Sequence, residues 1–199
     1  MERNTYNMKN DPRKHFSALE IIHRILREHI KPGDICIDAT AGRGRDTLFL
    51  AELVGESGRV TAFDIQEAAV ESTRALLREN GMDSRADVIL GSHENMADHA
   101  EAGTVSAITF NFGWLPGGDH NVFTHAESSI AAINAGLLLL RDGGIMTLII
   151  YYGRETGFAE RDALLEFLPT IDSDVYTVVE MPFVNRANCP PIPIFILKG

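Results

Sequence analysis

The stretch "IDATAGRGRDTLFLA", Ile37 to Ala51, sets two glycines between apolar runs, with an acid just ahead of them. The segment entering the loop, "DICIDAT", reads as a buried strand, and the segment leaving it, "DTLFLAELV", as a helix. Strand, glycine loop and helix in that order form the unit of an open α/β sheet, whose ligands lie beyond the carboxyl ends of the strands. Gly42 and Gly44 let the backbone approach such a ligand without side-chain obstruction.

Outward from this loop, strands and helices alternate. "RVTAFDI" reads as a strand, "EAAVESTRALLREN" as a helix closed by Gly81, and "ADVILGS" and "SAITFNFG" as strands. A helix is expected from Thr124, with Glu127 completing a capping box, as far as "RDGG". "IMTLIIYYG" is then a strand and "ERDALLEFL" a helix. Upstream, Ser17 and Glu20 form a capping box, with Phe16 and Ile21 as its hydrophobic staple. Leu19, Ile22, Leu26 and Ile30 recur at helical spacing until "KPGD" ends that helix. Such alternation predicts parallel βαβ units. The last two runs, "VYTVVEMPFV" and "IPIFILKG", have no helix between them and should pair antiparallel. The expected fold class is therefore α/β and Rossmann-like: a mainly parallel sheet with one antiparallel C-terminal strand, the class I arrangement of S-adenosylmethionine (SAM) methyltransferases.

Length and composition agree with an ordinary globular chain. Its 199 residues, 45% hydrophobic, suit a single domain over 1–199, an N-terminal arm and helix (1–33) preceding a core (34–199). No apolar run approaches the about 20 residues that span a bilayer, and "MERNTYNMKNDPRKHF" lacks the apolar centre of a secretory signal. The expectation is a cytoplasmic protein with no membrane partner. Cys36 and Cys189 form no metal-ligand pattern, so no metal is expected, and Cys36 reads as a packed free thiol. The net charge of −10 argues against sequence-blind nucleic-acid binding. Local cations remain, with Arg3, Lys9, Arg13 and Lys14 at the N-terminus and Arg43 and Arg45 in the loop. The apolar final hairpin and the N-terminal helix would serve either a homodimer or the cover of the sheet.

The loop discriminates among nucleotide ligands. A dinucleotide fingerprint wants a third glycine three residues after the second, and Thr47 stands there. Asp46 at the helix start would repel a pyrophosphate but suits a cation, such as a sulfonium or α-amino group. The Gly-Lys-Ser/Thr ending of a phosphate loop is absent. Asp64, ending the second strand, is placed to accept hydrogen bonds from both hydroxyls of a ribose. SAM is the ligand that fits, with Asp38, Ala39, Thr40, Gly42, Gly44, Asp46, Thr47, Asp64, Ile65 and Gln66 as its candidate residues. Ser92 and His93 follow the third strand, where an adenine edge would lie. The rival reading is an NAD-dependent oxidoreductase, and a third is a non-catalytic SAM-binding module.

The fourth strand runs into "NFGWLPGGDH". In amino-group methyltransferases this position carries a polar residue followed by proline and an aromatic, so that an amide or backbone oxygen accepts from the target N–H and the ring stacks on a base; here the order departs from that, as Asn-Phe-Gly-Trp-Leu-Pro. Asn111 takes the first role, also bordering the cofactor, and Trp114 the second. Asp119 and His120, then Tyr152, are candidate acceptors for the amine proton. Arg43, Arg154 and Arg186 are candidate phosphate contacts.

Nearly all of residues 35–199 resembles a known family, the small SAM-dependent enzymes long labelled "putative rRNA methylases" and associated with tRNA wobble-uridine modification. The resemblance rests on "DATAGRGRDTLFLA", "FDIQ", "NFGWLPGGD", "YYGRETGFAERDAL" and "NRANCPP". It implies methylation of 5-aminomethyl-(2-thio)uridine at tRNA position 34, hence a tRNA anticodon loop as partner, with Trp114, Leu115, Pro116, Gly117 and Gly118 on the substrate side. The family pattern commonly has Asn where Arg43 stands and Tyr where Trp114 stands. Methylation of rRNA or of another amine is the alternative within the same chemistry.

Overall fold

The computed structural model describes residues 16–113, 124–153 and 155–199. In chain order its elements are α1 (Ala18–His29), β1 (Ile35–Asp38), α2 (Arg45–Val54), β2 (Arg59–Asp64), α3 (Glu67–Glu79), β3 (Ala86–Leu90), β4 (Val105–Phe112), α4 (Ala126–Leu139), β5 (Leu140–Ile150), α5 (Glu155–Phe167), β6 (Tyr176–Glu180) and β7 (Ile192–Lys198). The strands form one seven-stranded sheet in the order β3-β2-β1-β4-β5-β7-β6. Pairs among β1 to β5 are parallel, and β7 runs antiparallel to both β5 and β6. The single reversed strand is thus inserted beside β5, leaving β6 at the edge. The order reverses between β1 and β4, the switch point at which open sheets bind ligands.

Helices cover both faces, which is why the central strands are apolar throughout. Along β5, Met146, Leu148 and Ile150 join the core under α4 and α5, while Ile145 and Ile149 join the one under α1, α2 and α3. Ile22 and Leu26 of α1 are buried in that second core, and α1 packs on β5 and β7, so its apolar face covers the sheet. Cys36 is a fully buried free thiol whose pKa desolvation raises to about 12. Among the described residues no helix is long and apolar enough to cross a membrane.

Local signals and structure agree at the first helix, where the Ser17 hydroxyl accepts from the Glu20 N–H at 3.1 Å. Three expectations need correction. Thr124 is not the N-cap of α4; His125 holds that position, and Thr124 directs its hydroxyl to Glu160. "RDGG" does not simply separate helix from strand. β5 begins at Leu140, and 141–144 bulge out between the pairings Val105–Leu140 and Ala107–Ile145. Helix α5 starts at Glu155 rather than Glu160. A Cβ on Gly157 would lie 3.2 Å from the Tyr152 Cα, so the helix-weakening glycine is a close-packing position.

Candidate active site

The carboxyl ends of β1, β2 and β4 enclose a cavity of about 430 Å³. Ala39, Thr40 and Gly42 from the glycine loop, Asp64, Ile65 and Gln66 from the end of β2, Ser92 and His93 after β3, and Asn111 from β4 all line it. Residues not nominated for the site from the sequence complete the wall: Phe63, Gly91, Glu94, Gly113, Thr124, His125 and Ser128. Phe63 and Gly113 stand inside the "FDIQ" and "NFGWLPGGD" stretches, Gly91 and Glu94 follow β3, and Thr124, His125 and Ser128 come from around the start of α4, where no sequence pattern pointed to a ligand.

The glycine loop is held from below. Gly42 and Gly44 both have positive φ, 55° and 80°. Gly44 sits so close to α3 that a Cβ there would lie 2.8 Å from the Thr73 Cα. Asp64 accepts from the Gly42 N–H and from the Gln66 N–H, each at 2.9 Å. One main-chain donor on each oxygen leaves further lone pairs of the carboxylate for a ligand.

Asp38 and Thr47 lie under the loop and do not line the cavity. Asp38 is fully buried and accepts from the Thr47 hydroxyl at 2.6 Å and from the Thr40 N–H at 3.2 Å. Burial, then the charge of Asp46, pushes the Asp38 pKa up to about 7. The hydroxyl where a dinucleotide-binding loop would carry glycine therefore ties the helix to the end of β1.

Asp46 is likewise turned away from the cavity. Its carboxylate accepts from Asn111 Nδ2 at 2.7 Å and lies 2.8 Å from His23 Nε2. The expectation that it faces a ligand cation is corrected: Asp46 borders a small space between α1 and the sheet and not the cavity. Asn111 is held twice more, through its N–H to the Thr40 hydroxyl at 2.7 Å and through its pairing with Ile149 in β5.

His93 Nδ1 lies 3.1 Å from the Ala39 carbonyl. A carbonyl only accepts, so Nδ1 carries the proton and Nε2 of the neutral ring is an acceptor. Burial lowers the His93 pKa and keeps the ring neutral. Nε2 is buried and has no partner among the described residues.

Other nominated residues stand elsewhere. Arg43 is exposed on the glycine loop. The Tyr152 ring packs against Phe158 and under the Arg161 guanidinium, away from the cavity. Its neighbour Tyr151 is the one on the Asp46 side, where burial, then the Asp46 charge, raises its pKa to about 12. The two tyrosines are adjacent just past the end of β5, and the sequence offered no reason to prefer one over the other. Arg186 lies between β6 and β7 with its guanidinium 3.8 Å above the Phe183 ring. Trp114, Leu115, Pro116, Gly117, Gly118, Asp119, His120, Arg154 and the N-terminal cations lie outside the described residues.

The family model described as "Putative rRNA methylase" matches residues 60–197. The chain belongs to that family. Among its relatives is the chloroplastic tRNA (mnm(5)s(2)U34)-methyltransferase of Arabidopsis thaliana, 32% identical over 91% of this chain and 69% of the relative. A "putative rRNA-methylase" of Clostridium thermocellum superimposes with a TM-score of 0.90 at 43% identity, covering 92% of this chain and 98% of that one. A "putative methyltransferase" of Streptococcus mutans, solved in complex with SAH, gives a TM-score of 0.83 at 33% identity, covering 92% and 98%. This rRNA-methylase family member is a methyltransferase and its cofactor is SAM, which sets aside the NAD-dependent oxidoreductase.

The cavity fits that cofactor. An orphaned acceptor at His93 suits a ligand bearing N–H groups, Asp64 keeps lone pairs for hydroxyls, and the backbone at Gly42 offers an approach clear of any Cβ.

Proposed function

We propose that the enzyme methylates the amine nitrogen of 5-aminomethyl-(2-thio)uridine at tRNA position 34, giving the 5-methylaminomethyl form. The observation that carries this reading is the Asn111 amide. Its Nδ2 is bound to a carboxylate, which can only accept, so the carbonyl oxygen is left for an N–H donor at the cavity wall. The likeness to a relative named for U34 of tRNA supports the choice of nucleoside.

When bound, SAM supplies a methyl group on a sulfonium, open to in-line displacement by a nitrogen lone pair. The protein's work is to position and to exclude alternatives. Asp64, with Gly42 and Gln66 beside it, would hold the ribose; His93 Nε2 would accept from the adenine amine; Ile65 would flank the base. Ala39, Thr40 and Ser92 complete the cofactor's bed, whereas Asp38, Gly44, Asp46 and Thr47 act by holding that bed in shape. Asn111 would align the amine and orient its lone pair. The amine is protonated near neutral pH, as lysine is, and must shed its proton before it attacks. We assign that proton to Asp119 on the sequence. Trp114 to Gly118 would take the base, and Arg43, Arg154 and Arg186 the phosphates, local cations compensating for the acidic whole.

The test is incubation with radiolabelled SAM and anticodon stem-loops bearing uridine or 5-aminomethyluridine at position 34, with rRNA fragments in parallel. Label in the aminomethylated stem-loop alone, recovered as the methylaminomethyl nucleoside, is expected. Label in rRNA and none in the stem-loop would overturn the tRNA reading.

A further inference from the structure

Behind the cavity wall lies a second, much smaller space, about 10 Å³, lined by residues of α1, α2, β4 and β5. Asn111 borders both spaces, while Asp46 and His23 border only the inner one. These three side chains form a continuous chain: His23 Nε2 to Asp46 Oδ1 at 2.8 Å, and Asp46 Oδ2 to Asn111 Nδ2 at 2.7 Å. The His23 ring is fixed independently, stacked on Phe49 at 3.8 Å with the planes 10° apart. Both ends of the Asp46–His23 pair are shielded, with side-chain exposures of 14% and 15%.

An amide side chain has two faces of opposite hydrogen-bonding sense. Turning it by 180° would present NH₂ instead of oxygen to the cavity, and NH₂ cannot accept from an amine N–H. An ionised carboxylate behind Asn111 forbids that rotation, because it would then oppose the carbonyl oxygen. A donor from His23 holds the carboxylate in place and keeps its second oxygen from turning toward Asn111. We propose that His23 and Asp46 are positioning residues that set the direction of the Asn111 amide, which makes α1, ahead of the glycine-loop core, part of the active site. This rests on the reading of Asn111 given above.

The test pairs structure with turnover. In the full-length protein, the Asn111 side-chain NH₂ resonances, assigned by loss in Asn111→Ala, should show one proton shifted downfield by the carboxylate. Asp46→Asn should abolish that shift. His23→Phe keeps the stacking ring but no donor and should disturb it, whereas His23→Gln restores a donor and should recover it. With the aminomethylated stem-loop, kcat should fall ~100-fold for Asp46→Asn and ~10-fold for His23→Phe, a loss of orientation. His23→Gln should regain most of its part. SAH affinity by calorimetry and the melting temperature should stay near wild type in the His23 variants, which separates positioning from general destabilisation. An unshifted Asn111 resonance in wild type, or wild-type turnover and resonances in His23→Phe, would overturn the inference. Full turnover in Asn111→Ala would instead overturn the role given to Asn111, and the amide resonances would still decide whether the pair orients it.

Discussion

Replacing Gly44 by alanine tests the packing that shapes the cofactor loop. Gly44 has φ 80° and ψ 6°, a left-handed conformation that costs a residue with a Cβ about 1 kcal/mol. The new methyl would lie 2.8 Å from the Thr73 Cα and 3.0 Å from both Thr73 Cγ2 and Oγ1. Thr73 is fully buried on α3, and the nearest atom is main chain, so a rotamer change cannot relieve the overlap. Overpacking of that kind adds about 1–3 kcal/mol, for a total of about 2–4 kcal/mol. Gly81→Ala is the control: φ is 67°, but no atom lies within 4 Å of its Cβ, leaving only the conformational cost of about 1 kcal/mol. In a chain of this size that translates to about 4–16 °C for Gly44→Ala and about 2–4 °C for Gly81→Ala. Urea unfolding measures the difference, and calorimetry with SAH should show weaker binding only for the Gly44 variant. Equal destabilisation by the two substitutions would refute the close approach of loop and α3.

Other consequences are as direct. Asp64→Ala frees the Gly42 and Gln66 N–H groups and removes the proposed ribose acceptor, so SAH should bind at least ~10-fold more weakly by calorimetry. Glu160 is buried and accepts from Ser129 at 2.7 Å and Thr124 at 2.8 Å, while the Thr124 hydroxyl accepts from the Gly113 N–H at 2.9 Å. Glu160→Ala strands these hydroxyls and should cost about 2–4 kcal/mol in urea unfolding, with Glu160→Gln milder. The Asp38 carboxyl, at about 7 when folded against 3.8 ordinarily, holds its proton in the folded state while the unfolded chain has lost it. Its contribution to stability is therefore full below pH 4 and falls as pH rises toward 7, by on the order of 4 kcal/mol. Asp38→Asn removes that dependence, so its stability relative to wild type should improve between pH 4 and pH 7; parallel pH profiles would refute the assignment.

What the sequence by itself determined is the sheet and the loop. Strand runs apolar on both faces, helices with a 3.6-residue stripe, and Gly42 and Gly44 after β1 are local patterns, each written in a few consecutive residues. So are the acids that end β1 and β2, because a strand's last residue is readable once the strand is. What tertiary structure decided is where the polar groups point. Asp46 turns to His23 and Asn111, Thr124 to Glu160, and His93 to Ala39, partners separated by 23, 65, 36 and 54 positions along the chain. Helical propensity and capping patterns constrain only neighbours, so Thr124 read as a cap and Asp46 as a cation's partner. A buried carboxylate or hydroxyl takes whichever donor or acceptor the packed helices bring to it, since leaving it unpaired costs more than any local preference.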